Sequence, residues 1–107
     1  MEREESCLIE IDGRLFDWDE NKYKININKH GISFIEAATV FSDENAVEID
    51  DDKHSQHEDR FWVIGQSKRL RLMVVCHCYR ENNTVIRIIS ARKANDAEKE
   101  IYGGGSI

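Results

Sequence analysis

The sequence is 107 residues long, 40% apolar and 34% charged, with three cysteines and no proline. These values predict one globular domain and exclude a disordered chain and a disulfide scaffold; no apolar run nears the ~20 residues of a helical membrane span. The formal charge of −6 is uneven, with 17 acids against 6 bases in residues 1–59 and 4 against 9 in residues 60–107, which excludes coating of nucleic acid by bulk charge and leaves room for a local basic site.

The first residues are acidic and lack a basic stretch followed by an apolar one, so a cytoplasmic protein is expected. Leu8–Ile11 and Leu15–Trp18 read as strands around an Asp12-Gly13 turn. Asp19 suits the N-cap of a helix over Asn21–Lys29, and Gly31 suits its left-handed stop. Three Asn and two β-branched Ile weaken that helix, so it needs tertiary support. Ser33 and Glu36 have capping-box spacing. The short helix they begin carries Phe34, Ala37, Ala38 and Phe41 on one face.

Ala46–Asp50 reads as a strand and Asp50–His57 as a polar loop. Three clearer strands follow over Arg60–Gly65, Leu70–Tyr79 and Val85–Ser90, joined by short turns into an antiparallel meander. Alternation puts Phe61 and Val63 on one face of the first, with Arg60, Trp62 and Ile64 on the other. Leu70, Leu72, Val74, Cys76 and Cys78 share a face of the second. Asn95 and Glu98 repeat the capping-box spacing and start a last helix over Asp96–Tyr102. The expected fold class is α+β: an antiparallel sheet, one face covered, packed with two N-terminal helices and a C-terminal helix. Residues 1–102 form the expected single domain, and 103–107 a flexible Gly-rich tail.

Three kinds of chemistry compete. His54, His57 and Cys76-His77-Cys78 offer metal-ligand types, but a strand splits the last trio, with His77 pointing away from both thiols. The same face carries leucine and valine, so the cysteines read as small core residues and not as nucleophiles. Phosphodiester chemistry needs no metal when RNA supplies its own 2′-hydroxyl; it needs a base, an acid and cations where charge grows. Arg60, Arg80 and Arg92 stand at strand ends, Arg87 and Lys93 flank the last of these, and Lys29 and His30 end the first helix. Arginine forks match phosphate oxygens. Trp62, on the face of Arg60, and Tyr102 are candidates for stacking on bases.

Phe16-Asp17-Trp18-Asp19 and Asn28-Lys29-His30-Gly31-Ile32-Ser33-Phe34-Ile35-Glu36-Ala37 resemble the opening signature of the BrnT toxin family. His54, Glu58-Asp59-Arg60-Phe61 and Ile64-Gly65 resemble its middle; Arg87 to Ala94, with Glu98 and Tyr102, resembles its close. The resemblance implies a RelE-like fold and a type II toxin that cleaves RNA, inhibits translation and uses no cofactor. It also implies a BrnA-like ribbon-helix-helix antitoxin, through which alone the complex would touch DNA, and no membrane partner. Carried over by position, Arg60 and Arg92 become the candidates for phosphate contact and transition-state stabilisation. His30 becomes an acid, a base or a capping residue, and Glu58 a catalytic group or a partner that orients Arg60. Lys29, Arg80, Lys93, Trp62 and Tyr102 become RNA-binding candidates, with Tyr102 also able to tie down the last helix. The competing class is a non-catalytic toxin-fold module that serves its antitoxin as partner and co-repressor. A salt bridge from Glu58 or Glu98 to either arginine would favour that class.

Overall fold

The computed structural model describes residues 8–54 and 58–104. The acidic start, His57 and the last three tail residues lie outside the described residues. Strands β1 (Ile9–Ile11) and β2 (Arg14–Asp17) form a hairpin. Asp12 at φ 53° and Gly13 at φ 84° make the turn, two positive angles in succession whose twist suits a two-residue hairpin. Helix α1 (Glu20–His30) ends at Gly31, φ 68°, whose N–H donates to the Ile27 carbonyl. Helix α2 (Phe34–Thr39) runs on into a 3-10 turn at Val40–Ser42. Strands β3 (Val47–Asp50), β4 (Phe61–Gln66), β5 (Leu72–Arg80) and β6 (Val85–Lys93) follow, and helix α3 (Asp96–Tyr102) closes the chain.

The sheet order is β1-β2-β6-β5-β4-β3. The meander is present, but the sheet is mixed, because β2 lies parallel to β6. A parallel pair needs a long crossover, and everything from α1 to β5 supplies it. Neither strand's pattern records which distant strand it will join. One face of the sheet carries Phe16, Val63, Met73, Val75, Ile86, Ile88 and Ala91 against Ile32, Phe34, Ala37, Ala38 and Val40. Gly65 belongs to this face; a Cβ there would sit 2.7 Å from Val40 Cγ1, so the 3-10 turn reaches β4 only because that side chain is missing.

The opposite face carries apolar residues as well. Ile64, Val74 and Ala94 form a small second cluster there, with Trp62, Leu72 and Tyr102 packed against it from β4, β5 and α3. Leu70, read as part of β5, instead sits in the preceding turn at φ 64° with 76% of its surface exposed.

One asparagine explains how α1 is held. Beyond Arg87, β6 has no further β2 partner, and its Ala91 N–H and C=O would be orphaned. Asn26 fills the gap: Nδ2 donates to the Ala91 carbonyl at 2.9 Å, and Oδ1 accepts from the Ala91 N–H at 3.1 Å. The same Nδ2 donates to the Ile32 carbonyl at 3.2 Å. A poor helix former therefore stands in α1 because its amide replaces a missing strand.

The Ser33 capping box is half formed. Ser33 accepts from the Glu36 N–H at 3.0 Å, but the Glu36 carboxylate does not reach back. It accepts from Arg71 Nε at 2.9 Å and the Ser67 hydroxyl at 2.7 Å, pinning the β4–β5 turn to α2. Hydrogen bonding from Arg71 holds the Glu36 carboxyl below its ordinary range despite burial.

Candidate functional site

Arg87 and Arg92 are five residues apart, so a regular strand would put them on opposite faces. The pairing of β5 with β6 breaks this parity. Cys76 faces Ser90 while His77 faces Ile88, and Ile89 is left over as a bulge. Arg87, opposite Cys78, and Arg92, opposite Val74, thereby join the face that carries Trp62. Arg80 reaches the same face by plain alternation along β5. The sheet face turned away from α2 is thus lined by arginines, in a protein whose net charge is negative.

Two recesses open on this side. The first, about 180 Å³, is bounded by Lys22, Arg60, Arg80 and Arg87 with Asp19 and Glu58, next to the bulge. Four cations thus face two carboxylates. Arg87 is held flat by Asp17, its register partner, at 3.1 and 3.2 Å. Glu58 accepts from Arg80 Nη2 at 3.3 Å. Arg80 Nε is buried with no acceptor among the described residues, an unmet donor in a cationic recess. Cys76 and Cys78 lie beneath this face, and burial raises both thiols, Cys76 to about 11. They are inert core residues.

The second recess, about 340 Å³, has Trp62, Ile64 and Val74 as its floor and Ile49 and Ile101 as walls, with Arg92 at its rim. Here sequence order dictates geometry step by step. The Asn95 side chain accepts from the Glu98 N–H, and Glu98 Oε1 accepts from the Asn95 N–H, both at 2.8 Å. That complete capping box aims the Glu98 carboxylate at Arg92, which donates from Nη1 at 2.8 Å and Nη2 at 2.7 Å. The bond from Glu98 raises Arg92 further above its already high value, and the reciprocal bond lowers Glu98. The guanidinium carbon lies 5.4 Å from the Trp62 ring centroid.

The sequence-predicted residues therefore separate. Arg60, Arg80 and Glu58 share the first recess, and Trp62 and Arg92 the second. Lys29 and His30 end α1 and line neither recess; both favour the negative end of the helix dipole. Lys93 alternates onto the side opposite Arg92. The Tyr102 hydroxyl donates to Asp43 at 2.7 Å, which ties α3 to the loop before β3. Lys22 was not selected from the sequence, and Arg87 was read only as a cation flanking Arg92. Simple alternation puts Arg87 on the wrong face, and Lys22 enters only through the crossover that brings α1 beside β6.

On the helix face, His77 is fully buried in a ring of Phe41, Phe61 and Tyr79. Its two nitrogens contact the Val75 carbonyl at 3.1 Å and Glu48 at 2.8 Å, and Tyr79 donates to the same Glu48 oxygen at 2.6 Å. Among the described residues no group of three or more His, Cys, Asp or Glu is placed to hold a metal ion, and no helix is long and apolar enough to cross a membrane.

Comparison with known proteins adds two findings. The family described as the ribonuclease toxin BrnT of type II toxin-antitoxin systems matches residues 18–98. The 1.1 Å crystal structure of the Brucella abortus ribonuclease toxin BrnT is similar, with TM-score 0.56 and 26% identity, over 74% of this chain and 94% of that one. No curated protein matches the sequence.

Proposed function

This chain belongs to the BrnT family of type II toxins, and we propose that it is a metal-independent endoribonuclease whose cleavage site is the recess of Arg60, Arg80, Arg87 and Lys22 around Glu58. The observation that carries this reading is the convergence of four cations and two carboxylates, Asp19 and Glu58, in one recess beside the sheet. Arg60 and Arg80 contact the scissile phosphate, and Glu58 accepts the 2′-hydroxyl proton. The 2′-oxygen–phosphorus bond forms, the bond to the 5′-oxygen breaks, and water protonates the leaving oxygen. The products are a 2′,3′-cyclic phosphate and a 5′-hydroxyl. Cations fixed by packing stabilise the developing charge without having to reorganise. Cleavage of cytoplasmic RNA stops translation until a ribbon-helix-helix antitoxin of the BrnA kind covers the toxin; DNA is met only through that antitoxin.

The Arg92–Glu98 fork favours the second reading, a binding module without activity, because it removes one of the two arginines from the set of available phosphate ligands. Purified protein incubated with RNA in EDTA separates the two. Under the enzyme reading wild type cleaves and leaves cyclic ends, a 2′-deoxy substitution at the scissile nucleotide blocks the cut, and Arg60→Ala loses roughly 100-fold or more. Folded wild type that cuts neither naked RNA nor ribosome-bound message supports the binding module.

A further inference from the structure

Arg92 has no remaining use as a phosphate fork. Both terminal nitrogens donate to Glu98, and Nη1 also donates to the Lys93 carbonyl at 3.2 Å. The carboxylate neutralises its charge. The guanidinium carbon sits over the Trp62 ring, 5.4 Å from its centroid. Yet 34% of the side chain remains exposed, and it borders a recess walled by Ile49 and Ile101. A planar cation held by Glu98 and set over an indole thus borders an open recess with apolar lining.

We infer that the Arg92–Trp62 stack is a nucleobase platform, on which one base of a single-stranded RNA lies between the guanidinium and the Ile49–Ile101 walls. Bases splayed from single strands stack on arginine planes and aromatic rings, and apolar side chains close around them. Asp51 and Lys53 line the same recess and supply polar groups at the base's edge. The arginine recess lies on the same sheet face, so a strand with its phosphate at Arg60 and Arg80 can extend a base toward Trp62. This inference rests on the ribonuclease reading for the phosphate site. It changes the role of Arg92 from phosphate ligand to stacking surface.

The test is binding of short 2′-deoxy oligonucleotides, which cannot be cut by 2′-attack. Trp62 reports on it, because the only other tryptophan, Trp18, is 4% exposed in the core. Wild-type fluorescence is expected to be quenched, and Trp62→Phe to abolish the change. Scanning an abasic residue along the oligonucleotide should find one position that weakens binding about tenfold. Arg92→Lys should weaken the intact oligonucleotide by the same factor and leave that abasic one unchanged.

Salt dependence separates stacking from charge. The slope of log affinity on log salt should fall by about 0.7 in Arg60→Ala, as expected on losing one single-strand phosphate contact. It should be unchanged in Arg92→Ala. A reduced slope in Arg92→Ala, or indifference to abasic substitution at every position, overturns the platform. So does a recess that binds only an apolar peptide segment of a partner protein. Base-dependent binding without any cleavage leaves the platform standing and removes the ribonuclease reading; cleavage without base dependence does the reverse.

Discussion

The two faces of the sheet use polar residues in opposite ways. On the helix face they are buried and spent on the backbone or on each other: Asn26 on Ala91 and Ile32, Glu36 on Ser67 and Arg71, His77 on Val75 and Glu48. Each joins segments far apart in sequence, and each would leave an orphaned group if removed. On the arginine face the charges are paired but partly exposed, as in Arg80 with Glu58 and Arg92 with Glu98. Water can replace either partner there. Burial makes a polar contact specify the fold; exposure leaves it available to a ligand.

Substitutions can break or sharpen this contrast. Asn26→Ala should do the most damage, because it orphans the Ala91 N–H and two buried carbonyls at once; a loss of about 4 kcal/mol in urea unfolding is expected. Glu36→Gln comes next, at about 2 kcal/mol, since Arg71 keeps a third of its surface in water and rehydrates. It carries a pH signature. The folded Glu36 carboxyl is held below its ordinary value, so its contribution is present above that value and is lost as pH falls through the folded one. Wild type should lose this stability in acid, and Glu36→Gln should lack that part of the slope. Tyr102→Phe, which removes one partly exposed bond to Asp43, should cost about 1 kcal/mol. Glu98→Gln should cost least, about 0.5 kcal/mol, while weakening the Arg92–Trp62 stack. A melt in which Glu98→Gln is more damaging than Glu36→Gln would collapse the distinction between the faces.

The elements themselves were legible because their signals are local. The Asp12-Gly13 turn, the Gly31 stop, the Asn95–Glu98 box and the alternation of β4 each occupy a few adjacent residues, and the structure keeps them all. The family resemblance was equally legible, in blocks from Phe16 to Tyr102. What stayed hidden depends on partners distant in sequence. Asn26 looked like a weak helix residue because Ala91 is 65 positions away. Glu58 lies 22 positions from Arg80, and only the strand order brings the two together. The arginine face was half visible: Arg60 and Arg80 follow from alternation, whereas Arg87 joins Arg92 only through a bulge that no local pattern announces.

That bulge also determines how the strand can go wrong. The two halves of β6 are out of phase, so no sliding of β6 along β5 satisfies both. A one-residue shift that restored a regular ladder would turn either Arg87 or Arg92 into the core among Phe16, Val63 and Met73, and turn isoleucines out to water. The extra residue at Ile89 thus acts as a key that fits one alignment, and a mispaired β6 has no low-energy state in which to be trapped.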